Sequence, residues 1–499
     1  MAPAPPVALI RDPLRLARYE RPERGEPGQA SALLLPDTPE QVGAVLGWAQ
    51  AQRQPLVLSA GRTGLVEAQR PEGEAVLSLE RLNRVLALHL ADGSSWPLRA
   101  TEAGAAAVEL AERWQAAGRP ALAGAALEVE AGLAVDALNA LLEPLGCLWP
   151  MEMGSTASAS VGACAANGSA GANALCYGTA AHLVVAVSGY WADGRPTGWQ
   201  PGLRWTLPAA DQLAIDSARL DPARGLLTTQ GVFGVITRLR LRLYPRPLSR
   251  EAVLLALPDM PAAMRLLAAA RARFGEGVEE FEFLHQGALA LGLAHLNGAV
   301  RLPHQQPQAP WHLLLQLRGE QPGEALAAAL YEFLLEQGLA ESAIGYAPLA
   351  ALKRLRHSLT EASNARMRAL GGGRLSFDTA TPLARFGDYL EALRADLAPR
   401  GVELVAFGHA GVGGAHLHLL GSRDQPVGPR AAELVERVFD LTQAHGGTFS
   451  AEHGVGSKWA AQWQARTPAE EVQALRAEKR RRDPAGILQP RCFALVEHA

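Results

Sequence analysis

The sequence predicts a mixed α+β protein of more than one domain, on three observations. At 499 residues with 48% apolar side chains, the chain exceeds what one hydrophobic core organises and has material for two or three. Between residues 32 and 79, short apolar runs alternate with a helical pattern, giving strand, helix, strand and loop. After Pro245 and Pro247 the pattern changes to helices interleaved with strands, which reads as a separate α+β domain.

The elements follow in order. The run Ala32-Leu33-Leu34-Leu35 precedes Thr38-Pro39-Glu40, a helix start with Thr38 as cap and Pro39 in the first turn. The helix Glu40–Gln52 feeds a strand at Leu56–Leu58, a glycine-containing turn at 61–64 and a strand at Ala75–Leu79. Residues 101–118 form an Ala-rich amphipathic helix stopped by Gly118. Residues 151–178 carry almost only small side chains. Such a stretch lets backbone amides approach a large ligand and form an anion-binding nest, with a flexible linker as the alternative. Strands follow at Leu183–Val187 and, after a loop over 231–237, at Arg238–Tyr244. Beyond the prolines come the helices Pro261–Phe274 and Gly323–Gln337 and the strand His312–Leu317.

Composition excludes several classes. Net charge is −3, so no basic surface advertises nucleic acid, and a small molecule is the simpler partner. Cys147, Cys164, Cys176 and Cys492 have no C-x-x-C spacing, which argues against iron–sulfur or zinc-ribbon sites. The start, Met1-Ala-Pro-Ala-Pro-Pro, has no basic region followed by an apolar run, and no stretch is long and apolar enough to span a bilayer; the expectation is a cytoplasmic protein. No G-x-G-x-x-G opens a helix after the first strand, so a nicotinamide cofactor is not suggested.

The most specific chemistry lies near the C-terminus, in Gly408-His409-Ala410-Gly411-Val412-Gly413-Gly414-Ala415-His416-Leu417-His418 and Ser450-Ala451-Glu452-His453-Gly454-Val455-Gly456. Two imidazoles and a carboxylate, His409, His416 and Glu452, can hold a divalent metal of zinc or manganese type and leave room for substrate. His453 is then a spare general base. The bland alternative is that His416 and His418, two apart on a strand, merely share a face. Lys353-Arg354-Leu355-Arg356 reads by itself as a solvated basic helical face. Asp378 reads as a hydrogen-bonded residue of a core strand.

These segments resemble the G-H-x-G-D-G-N-x-H and S-x-E-H-G-x-G motifs of the flavoprotein family of D-2-hydroxyacid dehydrogenases, which includes D-lactate, glycolate and D-2-hydroxyglutarate enzymes. Ser59–Leu65 followed by Val76–Val85 resembles the family's first flavin loop and hairpin, Val161–Gly171 its I-G-G-x-x-A-N-N-S-S-G loop, and Asp483–Pro490 its closing D-P-x-x-I-L-N-P. The resemblance covers roughly residues 30 to 492. It implies an α+β fold of the vanillyl-alcohol-oxidase type. A two-subdomain FAD-binding domain of the PCMH type would span 28–246, and an α+β cap domain for substrate 247–455. A C-terminal segment, 456–499, would return to complete the flavin site.

By matching position, the resemblance assigns FAD contacts to Gly61, Arg62, Thr63, Gly64 and Leu65, to Glu152, Gly154, Ser155, Ser158, Gly162, Asn167, Gly168 and Ser169, and to Gly234, Ile236 and Gln489. It places the metal on His409, His416 and Glu452, the substrate carboxylate on Arg356 and the base on His453. The implied reaction oxidises a D-2-hydroxy acid to the 2-keto acid, with hydride passing to flavin N5 and electrons going on to a quinone, an electron-transfer protein or another carrier. A peripheral membrane contact, which a quinone-linked enzyme needs, stays open, as do a homodimer and membership of a complex.

The chain departs from the family pattern in places. Val66-Glu67-Ala68-Gln69 replaces a second Gly-Gly, and a Glu there repels phosphate unless turned away. Thr228–Gly234 replaces G-S-E-G-T-L-G, and 196–227 matches poorly. Val412, Gly414 and His418 stand for the motif Asp, Asn and second Asn, and Ser376 stands where some members have a substrate lysine. About thirty residues around 101–118 look inserted. A non-catalytic or regulatory subunit that keeps the fold is therefore the alternative function.

Overall fold

The computed structural model describes residues 4–197 and 222–496, so most of the poorly matched stretch lies outside the described residues. The chain divides into two compact units. The first holds residues to Ala170, Gly178–Arg246 and Glu452 onward; the second holds Gly171–Tyr177 and Pro247–Ala451.

The first unit contains two main sheets. In one, β1 (Ala32–Leu34) and β2 (Leu56–Ser59) both pair in parallel with a central β3 (Ala75–Ser78). The crossover is α1 (Pro39–Gln52), capped as its sequence requires: Thr38 Oγ1 accepts from the Gln41 amide at 3.3 Å. Its Val42, Val45, Leu46 and Ala49 pack on Leu34, Leu56 and Leu77 of the sheet. The C-terminal segment extends this sheet, because Leu488 bridges to Leu56 in parallel.

The other sheet is antiparallel, built from β4 (Val85–His89), β5 (Ser95–Pro97), β6 (Ala126–Glu130), β7 (Val184–Trp191) and β8 (Gly234–Arg242) in the order β5-β4-β6-β8-β7. Strand β8 (Gly234–Arg242) starts four residues earlier than the expected loop allows. Gly234, Val235 and Ile236 pair with Trp191, Tyr190 and Gly189, so burial and the ladder claim residues that the local Gly pattern gave to a turn. Strand β7 likewise runs to Trp191, past the expected end at Val187. The Ala-rich helix α2 (Ala103–Ala116) sits inside its expected bounds, with Gly118 just beyond it at φ +77°. A seven-residue helix, α3 (Val161–Asn167), is capped by Ser160.

The second unit is a seven-stranded antiparallel sheet. Its strands are β9 (Ser249–Leu257), β10 (Val278–His285), β11 (Trp311–Gly319), β12 (Ile344–Tyr346), β13 (Gly371–Ala380), β14 (Glu403–Gly408) and β15 (Gly414–Ser422). The order is β12-β9-β11-β10-β14-β15-β13. Helices α4 (Met260–Phe274) and α5 (Gly323–Glu336) match their expected positions closely. The longest helix, α6 (Leu349–Leu370), lays Leu352, Leu355 and Leu359 on Leu284, Leu314, Val405 and Phe407 of the sheet. Among the described residues, no helix is long and apolar enough to cross a membrane.

Candidate active site

The two motif histidines lie on either side of the β14–β15 turn. His409 follows β14, and His416 lies on β15 opposite Phe407. Their ring centroids are 5.2 Å apart. The turn needs its glycine: Gly413 has φ +72°, and a Cβ there would stand 2.1 Å from the Thr381 carbonyl oxygen. Val412, in place of the motif aspartate, points outward and is 39% exposed.

Behind the pair stands a residue the sequence reading did not single out. Glu282 on β10 is fully buried; its Oε1 lies 2.5 Å from His409 Nδ1, and its Oε2 accepts from Arg356 Nε at 2.7 Å. Burial opposes its ionisation, but His409 and Arg356 outweigh that and hold the carboxyl down at about 2. Arg356 on α6 is therefore no solvated face. Its side chain is 12% exposed, paired with Glu282 and set over the Phe407 ring at 4.9 Å. One turn earlier, Lys353 pairs with buried Glu280. The available signal was a strand, Val-Glu-Glu-Phe-Glu-Phe-Leu-His, with carboxylates where an apolar core strand has none.

His416 Nδ1 lies 3.8 Å from Asp378 Oδ1 on the neighbouring β13. Asp378 is buried and accepts from the Ala451 amide at 3.2 Å, as its reading as a hydrogen-bonded core residue anticipates. His418, two residues along β15, is occupied in the core, its Nδ1 2.8 Å from Ser363 Oγ. Ser450 bridges to Asp378, so the chain leaves the second unit from the strand beside His416. Glu452 and His453 are the first residues of the segment belonging to the first unit. There the following turn is held by Gln230: its Oε1 accepts from the amides of Val455 at 3.1 Å and Gly456 at 2.8 Å.

Within the first unit, the expected flavin-contacting segments converge. Gly61 packs so closely on the 152–158 stretch that a Cβ would lie 1.9 Å from the Ser158 carbonyl oxygen. The first loop, with Thr63, Gly64 and Leu65 half-buried, is stitched to the C-terminal segment by Gln489, which accepts from the Leu58 amide and donates to the Ala68 carbonyl. Those bonds use both ends of the Gln489 amide group for the protein's own backbone. Arg62 likewise directs its guanidinium to Glu80 at 3.2 Å and to the Tyr19 ring. Glu67 meets Arg70 at 3.3 Å, an ion pair that offsets its charge.

The small-residue stretch is the second of these segments. Glu152 and Ser155 are half-buried, and Gly154 and Ser158 exposed; Gly162 lies in the first turn of α3, Asn167 ends it and Gly168 caps it. The Ser169 amide returns to the Cys164 carbonyl at 2.9 Å. The third loop joins here, since the amides of Thr228 and Gln230 donate to the carbonyls of Ala165 and Ala166. It leads into Gly234 and Ile236, both buried on β8. Closely approaching backbone and short side chains suit a long, flat ligand with a pyrophosphate.

The fold is shared with proteins of known structure. Alkyldihydroxyacetonephosphate synthase superposes with a TM-score of 0.64 at 14% identity, over 97% of this chain and 82% of that one. Substrate-bound p-cresol methylhydroxylase gives 0.66 at 15% identity, over 98% and 95%. Residues 30–197 match an FAD binding domain, and residues 246–492 match the C-terminal domain of FAD linked oxidases. The chain belongs to the FAD-linked oxidase family and is an FAD-dependent oxidoreductase. It is 29% identical over 513 residues to D-2-hydroxyglutarate dehydrogenase of Xanthomonas citri pv. viticola, covering 97% of this chain and 94% of that protein. It is 27% identical over 470 residues to the mitochondrial enzyme of that name from Bos taurus, covering 93% and 76%. A third relative of that name, from Stutzerimonas stutzeri, is 25% identical over 478 residues, covering 92% and 90%.

Proposed function

We propose that the protein is an FAD-dependent dehydrogenase that oxidises a D-2-hydroxy acid to the 2-keto acid with the help of a divalent cation. The observation that carries this reading is the His409–His416 pair, backed by buried Glu282 and Arg356, in a chain similar over nearly its full length to D-2-hydroxyglutarate dehydrogenases. In this reading the ligands are His409, His416 and Glu452, since two imidazoles with a carboxylate suit a zinc- or manganese-type ion.

When bound, the flavin supplies a two-electron acceptor, and the cation supplies a Lewis acid. The chain's own side chains do the rest. Arg356 offers a planar fork of donors to the substrate carboxylate. His453 takes the hydroxyl proton as general base. The FAD contacts fall to the loops around Gly61, Ser158, Asn167 and Gly234, while Gln489 shapes the first of them. Electrons pass on to a quinone, an electron-transfer protein or another carrier. Ser376 lies on β13 opposite His418 and brings a hydroxyl rather than a cation, so that position offers no charge to a second substrate carboxylate.

Removal of the metal tests the reading. Chelation is expected to lower turnover at least about tenfold, and added zinc or manganese to restore it. Full activity in a rigorously metal-free preparation overturns the metal role of His409, His416 and Glu452.

A further inference from the structure

We propose that Glu282 is a positioning residue whose single carboxylate sets both His409 and Arg356. The inference rests on the metal-assisted reading above. Glu282 is inaccessible to solvent, so substrate does not reach it, and its two oxygens are divided between two partners. Oε1 lies 2.5 Å from His409 Nδ1, and Oε2 lies 2.7 Å from Arg356 Nε.

Each contact fixes something the neighbouring group needs. A carboxylate facing Nδ1 keeps the proton there, makes Nε2 the ligating nitrogen and raises its basicity. The contact at Nε stops the guanidinium from rotating about its stem and leaves its terminal nitrogens as the pair for a carboxylate. Because Glu282 sits on β10, two strands from β15, and Arg356 on α6, one group ties the sheet and helix together at the point where metal and substrate are to be held. Phe407 closes the arrangement beneath Arg356.

Replacing Glu282 by glutamine keeps the shape but removes the charge, and the new NH2 group must face one of two donors. Glu282→Gln is therefore expected to bind zinc or manganese about 10–100-fold more weakly, read by competition with a chromophoric chelator on the flavin-loaded protein. The KM for the hydroxy acid is expected to rise with it, and Glu282→Asp to recover part of both losses. Arg356 left without its partner can unfold the variant. The double variant Glu282→Gln/Arg356→Met removes that charge and is expected to show the same loss of metal affinity.

Metal affinity within about threefold of wild type in either folded variant overturns the proposal while leaving the metal site standing. A wild-type protein that binds neither ion, with His416→Ala no different, removes the underlying reading and this inference together. A check needing no Glu282 variant is the histidine nitrogen spectrum of the native protein, with the His409 signal identified by its absence in His409→Gln. A proton on Nδ1 supports the proposal, and a proton on Nε2 contradicts it.

Discussion

Gln230 accepts two consecutive backbone amides, those of Val455 and Gly456, on one side-chain oxygen, while its own backbone is bonded to α3. It therefore fixes the turn that follows Glu452 and His453. Gln230→Leu leaves two buried N–H groups without an acceptor and is expected to cost about 1–3 kcal/mol in denaturant unfolding, with loss of flavin reduction. Gln230→Glu keeps an acceptor at the same place and is expected to stay within about 1 kcal/mol of wild type. The resembling motif has Glu at this position, so the sequence marked the position as altered. Its role was not legible, because both partners lie more than two hundred residues away.

Among the elements, strand β10 and helix α6 show where sequence reading succeeds and where it stops. The cap at Thr38, the helices Met260–Phe274 and Gly323–Glu336, and the closeness of His409 to His416 were legible because each is written in local spacing. The burial of Lys353 and Arg356 was not, because α6 alone shows only a basic stripe. Its partners, Glu280 and Glu282, lie about seventy residues earlier on a strand. Strand β8 failed for the same reason, its early residues being recruited by pairing with β7.

A second buried pair in this unit gives a pH prediction. His312 on β11 stacks on His304 with 3.0 Å between Nδ1 and Nε2. Burial, then His304 and more weakly His285, push His312 down from 6.5 to about 4, with a partial counter-effect from the Ala309 backbone. The unfolded chain binds a proton near 6.5 that the folded chain refuses until about 4, so stability is full above that window and falls as pH drops through it. The loss is expected to reach roughly 3 kcal/mol, and His312→Gln is expected to flatten this part of the profile of melting temperature against pH. A profile unchanged by the substitution contradicts the assignment.

At the scale of the whole molecule, the chain leaves the first unit at Arg246 and re-enters it at Glu452, and its last stretch becomes part of the first sheet. Lys479 anchors that stretch from a buried position. It donates to the carbonyls of Val232 and Leu488 at 2.6 Å each and pairs with Asp483 at 2.7 Å. Lys479→Met leaves a buried carboxylate without its cation and is expected to cost about 3–5 kcal/mol, with flavin released at lower denaturant than in wild type. Retention of flavin to the wild-type midpoint contradicts a role for the C-terminal segment in the flavin-binding unit. The central claim, an FAD-dependent dehydrogenase of D-2-hydroxy acids, is tested most directly by the visible spectrum of the purified protein before and after anaerobic addition of D-2-hydroxyglutarate, D-lactate and related acids. A flavin band that bleaches with at least one D-acid and not with its L-enantiomer is the predicted result. A bound flavin that stays oxidised through the whole panel contradicts the account.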